Sequence, residues 1–269
     1  VRSEASPDGG KGSEMTVWLR CEFEGRQSFG RLEGEVVHLH GGTHLPDAEP
    51  TGETRPLAAV RLLTPCRPGK FLGLWNNFHE RARVEHLPVP THPLYFVKTE
   101  NCYLPHGGTI RCPDSYEGPV VFEGELGIVI GKRCANVSPA QAGDHIFGYT
   151  CVNDVTARGV LKSDPAFPQW VRAKSFDTFG PFGPWIVTGL EPDELRVRTL
   201  VNGVEKQNYP VADMFFRPRD IVSRISRDMS LNPGDLICCG TSVGVEVMPR
   251  GCHVDVDIPG IGTLSNRYA

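Results

Sequence analysis

The stretch that most constrains this chain is Val120-Val-Phe-Glu-Gly-Glu-Leu-Gly-Ile-Val-Ile130. Its apolar run reads as a largely buried strand, where an ionised carboxylate is costly without compensation. Side chains two apart on a strand share a face, so Glu123 and Glu125 point together while Gly124 leaves the other side empty. Two carboxylates so placed repel unless a proton or a cation sits between them. Two readings follow: a pair at a strand end, each member salt-bridged to a basic residue, or a pair that shares a cation.

A second β-rich run, Phe147-Gly-Tyr-Thr-Cys-Val-Asn-Asp154, also ends in a carboxylate and offers a third oxygen ligand from a neighbouring strand. Three carboxylates, with no histidine beside them and no paired cysteine, suit a hard cation: Mg²⁺ first, with Mn²⁺ or Ca²⁺ as substitutes. An octahedral ion held by three protein oxygens keeps about three positions for water or substrate, which is a catalytic arrangement.

The 269 residues hold one large domain or a small one plus a larger one. With 30 glycines, 23 prolines and short valine-rich runs, the chain reads as β-rich with many turns. A net charge of −4 gives no footing for nucleic acid or an anionic membrane. No run approaches the roughly 18 apolar residues of a membrane span. The nine cysteines are irregularly spaced without a CxxC pair, which excludes a zinc knuckle and suggests a reducing, cytoplasmic protein without disulfides.

Four blocks then appear in order: Glu123-Gly-Glu-Leu-Gly-Ile-Val-Ile-Gly131, Phe147 to Arg158, Lys174-Ser-Phe-Asp-Thr-Phe-Gly-Pro-Phe-Gly-Pro184 and Pro233-Gly-Asp-Leu-Ile-Cys-Cys-Gly-Thr241. Together they resemble the fumarylacetoacetate hydrolase family over roughly residues 65 to 266. The resemblance implies an α+β, β-rich fold, a mixed β-sandwich roll with a small N-terminal β domain, and a homodimer. It implies that Glu123, Glu125 and Asp154 hold the metal. It also implies that His79 is a general base, Lys174 a cation at the substrate oxygen, and Arg158, Thr241 and Lys98 contacts for an anionic substrate. A neutral imidazole suits the role given to His79. Hydrolytic members carry a glutamate three residues after that histidine; here the position is Ala82.

The expected organisation is an extension over residues 1–14 outside the fold, a small β domain over 15–64 and the catalytic domain over 65–269. Three short strands are expected between Val17 and His40, with Pro46 to Pro56 as a turn-rich connector. Asn202-Gly203 marks a hairpin. The activity expected first is metal-dependent hydrolysis of a C–C bond in a 2-oxo acid or 1,3-dicarbonyl compound through an enolate. Decarboxylation or tautomerisation of a 2-oxo dicarboxylate on the same site is the alternative that Ala82 favours. A non-catalytic small-molecule binding protein is the third reading.

Overall fold

The computed structural model describes residues 14–269. The extension expected over residues 1–14 therefore lies, but for Glu14, outside the described residues. The described residues build one large mixed sheet, a smaller five-stranded one and a two-stranded pairing of Val120–Val121 with Thr156–Ala157. The large sheet runs, edge to edge, through Glu49–Pro56, Val36–Gly41, Arg26–Glu33, Thr16–Phe23, Gly180–Thr188, Ile146–Asn153, Gly124–Ile130, Leu236–Cys238, Phe71–Trp75 and Leu94–Lys98. Neighbours along it are antiparallel except Leu236–Cys238, which runs parallel to Phe71–Trp75. The N-terminal strands join it where Val17 pairs with Val187 and Trp18 with Ile186. The small sheet orders Val204–Pro210, Arg196–Val201, His253–Ile258, Gly262–Tyr268 and Thr109–Ile110. The architecture is α+β and strand-rich.

Period-two alternation along Gly124–Ile130 divides its neighbours between two cores. Leu126, Ile128 and Ile130 meet Val197, Tyr209, Val256 and Ile258 of the small sheet, with Ile221, Val222 and Ile225 of the helix Pro218–Asp228. Val129, on the opposite face, joins Phe71, Val152, Phe182 and Leu236. Glu123 and Glu125 belong to this second face, at the end of the strand where the hydrocarbon gives way to charge.

Gly124 is not opposite an empty space. A Cβ there would lie 2.0 Å from Thr199 Oγ1, and the Gly124 amide donates to Gln207 Oε1 at 3.1 Å. The small sheet thus presses directly on the residue between the two glutamates. The Asn202-Gly203 hairpin forms as expected, both residues taking positive φ (49° and 77°) between paired strands. The expected connector behaves differently: Glu49–Pro56 is a strand. It sits at the outer edge of the large sheet, where prolines are tolerated because one side of the backbone has no partner strand.

Candidate functional site

Five charged side chains meet at the mouth of this fold, all buried: Glu123, Glu125, Asp154, Lys98 and Lys174. Asp154 follows directly on the strand Ile146–Asn153, and its amide donates to the carbonyl of Glu123. Lys174 ends the short helix Trp170–Lys174, and its Nζ lies 2.5 Å from both Glu123 Oε2 and Asp154 Oδ2. Lys98 ends an edge strand; its Nζ donates to Asp154 Oδ1 at 2.6 Å and to the Lys174 carbonyl at 2.5 Å. The Lys98 and Asp154 side chains are 0% exposed, so Lys98 lies beneath the cluster as its counter-charge.

Charge balance sets the proton positions. Burial first, then Asp154 and Glu123, push the Glu125 carboxyl well above the usual carboxylate range. Burial would raise Asp154 as well, but Lys174 and Lys98 outweigh it and hold that carboxyl down. Burial works against the Lys174 ammonium; Asp154, Glu123 and Glu125 overcome it, so Lys174 is held above its ordinary range. Three carboxylates thus face two ammoniums, and Glu125 is the group that needs a proton or a further cation.

The cluster is positioned from three directions. Gly240, at φ 89°, donates its amide to Glu125 Oε2 at 2.7 Å, and a Cβ there would come within 3.2 Å of the Leu74 carbonyl. Thr241 donates its hydroxyl to the Gly124 carbonyl at 2.9 Å and receives Gln207 Nε2 at 2.8 Å. Its proton is therefore used in fixing Gly124. Asn77 pins the turn after Phe71–Trp75 by donating to the carbonyls of Cys239 and Phe216 and accepting from the Phe216 amide.

The donor chemistry fits a divalent cation. Carboxylate oxygens of Glu125 and Asp154 and the sulfur of Cys238 lie within 4.8 Å of one another, while Glu123 is held on Lys174. Cys238 was not visible as a neighbour in the sequence, because the strand Leu236–Cys238 enters between Gly124–Ile130 and Phe71–Trp75 from far along the chain.

Glu123 also lines a cavity of about 790 Å³. Its wall includes Trp75, Arg81, Glu85, Arg158, Lys162, Trp170 and Ser242. Arg158 is exposed at its rim, at the start of a short 3-10 turn. His79 is absent from the lining. It opens the helix His79–Val84, is exposed, and packs its ring 4.0 Å from that of Phe215. The Asn77 clamp, with Asp213 capping the Glu80 amide at 3.0 Å, fixes the helix with Arg81 and Ala82 buried. Arg81 is buried, sits 4.6 Å over the Trp75 ring and pairs with Glu85 at 3.1 Å. The sequence held one sign of this, the i,i+4 spacing of Arg81 and Glu85.

Against known proteins, residues 70–269 match the family model described as fumarylacetoacetate (FAA) hydrolase C-terminal, and residues 18–65 match one described as Rv2993c-like, N-terminal. The chain is 35% identical to the oxaloacetate tautomerase YisK of Bacillus subtilis, over 78% of this chain and 74% of that one. The crystal structure of 2-hydroxyhepta-2,4-diene-1,7-dioate isomerase from Mycobacterium marinum superposes with a TM-score of 0.86 at 40% identity, covering 95% and 98% of the two chains. Fumarylpyruvate hydrolase from Pseudomonas aeruginosa, solved with Mn²⁺ and pyruvate, is similar at a TM-score of 0.70 and 27% identity, over 78% and 91%. With the matched model spanning most of its length, this chain belongs to the fumarylacetoacetate hydrolase family.

Proposed function

We propose that this chain is a divalent-metal-dependent isomerase that interconverts the keto and enol forms of a 2-oxo acid. The observation that carries the reading is the cavity lining: beside Glu123 it presents arginines, a lysine and tryptophans, but no histidine among the described residues. Hydrolysis of a C–C bond needs a group that takes a proton from water, and the imidazole expected for that task, His79, faces Phe215 instead. Keto–enol interconversion needs no activated water: one proton leaves the carbon beside the carbonyl and one reaches the enolate oxygen, and the Glu123 carboxylate on the cavity wall is the group placed to take and return it. Relatives named as a tautomerase and an isomerase, at 35% and 40% identity, stand nearer than structures named as hydrolases, at 29% and 27%.

Glu123, Glu125 and Asp154 would hold the ion, Mg²⁺ first, with Mn²⁺ or Ca²⁺ able to replace it. When bound, the ion supplies Lewis-acid polarisation of the substrate carbonyl. Lys174 spends two of its three N–H donors on Glu123 and Asp154. The third, without a partner among the described residues, can meet the oxygen that becomes anionic in the enolate, from a buried position where such a donor is most effective. Lys98 keeps Asp154 ionised and Lys174 in place, acting through them instead of on the substrate. Arg158, at the rim, presents a planar fork to a carboxylate.

The test is a substrate panel of oxaloacetate, acylpyruvates and aryl 1,3-dicarbonyls on metal-stripped protein, with and without Mg²⁺ or Mn²⁺. Metal-dependent change in enol absorbance at constant product mass, abolished in Glu123→Ala, is the expected result. Cleavage products carrying oxygen from labelled water would overturn the isomerase in favour of a hydrolase, and loss of CO₂ would make it a decarboxylase.

A further inference from the structure

We propose that Arg81 and Ser242 form a second anion subsite in this cavity, built for a carboxylate at the other end of the substrate, and that Glu85 occupies Arg81 until that carboxylate arrives. The inference rests on reading this cavity as the substrate site. What it adds is the set of residues that would select the second carboxylate of a 2-oxo dicarboxylate.

Three observations meet here. Ser242 is 1% exposed and lines the cavity, yet its Oγ has no hydrogen-bond partner among the described residues. A buried hydroxyl left unpaired costs free energy, and such groups are normally satisfied by protein or by a ligand. Its neighbour Thr241 is no substitute, because that hydroxyl is committed to Gly124 and Gln207. Second, Arg81 is under-used. Of its five donors only Nε has a partner at ordinary length among the described residues, Glu85 Oε1 at 3.1 Å. Nη1 lies a long 3.5 Å from the carbonyl of Thr241, which sets the guanidinium beside Ser242. Trp75 holds its flat face at 4.6 Å, so the fork is oriented before anything binds.

Third, the charge is lopsided. Arg81, Arg158 and Lys162 line the cavity against Glu85 and Glu123. Glu123 is already matched by Lys174, and Glu85 is 42% exposed, free to swing into water at little cost. A cavity with surplus arginine, an unpaired hydroxyl and a displaceable internal carboxylate suits a planar anion held bidentately. Trp75 and Trp170, packed on each other, line the same cavity.

Binding of two 2-oxo acids that rest in their keto forms at equilibrium, measured on the Mg²⁺-loaded protein by titration calorimetry, tests this. 2-Oxoglutarate and 2-oxopentanoate share the 2-oxo acid head and chain length and differ only in the distal carboxylate. Wild-type protein is expected to favour 2-oxoglutarate by about 10- to 100-fold, the range of a hydrogen bond to a charged group. Arg81→Gln and Ser242→Ala should each shrink that preference while leaving 2-oxopentanoate unchanged within about twofold. Glu85→Gln, which removes the internal competitor, should tighten 2-oxoglutarate alone. A purely structural Arg81–Glu85 pair predicts the opposite: Glu85→Gln would weaken both ligands alike. Equal binding of the two ligands by wild type, or parallel losses in every variant, would overturn the subsite. Because the readout is binding, failure of the turnover panel is a separate result.

Discussion

The two walls of the cavity are made of different material. One is backed by a buried cluster of Glu123, which lines the cavity, with Glu125, Asp154, Lys98 and Lys174; strands and their ends carry all but Lys174, which ends a short helix, and short ion pairs join all but Glu125. The other is carried on the six-residue helix His79–Val84 and the turn after it, where Glu85 is exposed and Arg81 leaves donors unused. The first wall is largely paired within the protein and keeps in reserve only the Glu125 carboxyl and one Lys174 donor, for a cation and an anionic oxygen. The second has bonding capacity left over for a substrate. Chemistry and recognition are thereby given to parts of the fold with different stiffness, and substitutions on the two walls should fail in different ways.

The largest expected effect is on the rigid wall. Asp154→Ala leaves Lys98 and Lys174 facing each other in a fully buried place without their shared carboxylate. Removing one partner of such a pair costs about 3–5 kcal/mol. Chemical denaturation should show that loss, with metal binding and turnover gone as well. A loss under about 1 kcal/mol would mean that water reaches the cluster and that the contrast between the walls is false.

Next comes the residue between the glutamates. Gly124→Ala drives a methyl group into Thr199 Oγ1, at 2.0 Å, and overpacking of this kind costs about 1–3 kcal/mol. Removing that oxygen should relieve much of it: in a double-mutant cycle, Gly124→Ala in a Thr199→Ala background is expected to cost less than in wild type. Strict additivity would place the strain elsewhere and remove the small sheet as the support of the rigid wall.

The same division explains what was legible in the sequence. Glu123 and Glu125 could be placed together because strand alternation fixes a face without knowledge of the rest of the fold; Asp154, on a separate run, was joined to them only as a candidate from a neighbouring strand and by the family resemblance, which also carried the architecture. What Gly124 faces was not legible: Thr199 and Gln207 arrive from a separate sheet more than 70 residues on, and only packing brings them there. Lys98 reads locally as a solvated strand end, yet its partner is 56 residues away and the pair is sealed from water. The edge strand Glu49–Pro56 was hidden because its prolines and exposed side chains match a loop in composition. The helix wall was the least legible of all. A helix of six residues has no amphipathic stripe long enough to declare its inward face. That face is chosen by Asn77 and Asp213 gripping its first turn.

The smallest expected effect is therefore the most discriminating. His79→Ala removes an exposed ring stacked on Phe215, and stability should change by no more than about 0.5 kcal/mol. Turnover of a 2-oxo acid should stay within about twofold, and the pH–rate profile should keep its shape, because no proton passes through this imidazole. General acid–base catalysis by a positioned side chain contributes about 10²- to 10⁴-fold, so a role for His79 in chemistry could not hide within that margin. A hundredfold drop with stability intact would mean that the helix rotates or closes when substrate binds and brings His79 inward. Arg81 would then have to leave the position beside Ser242 that it holds now, and the second wall would be a moving part of the catalytic site instead of a fixed recognition surface. Preserved turnover in His79→Ala, together with a loss confined to dicarboxylates in Arg81→Gln, would keep the two walls separate and leave Lys174 and the carboxylates as the only groups through which the chemistry can run.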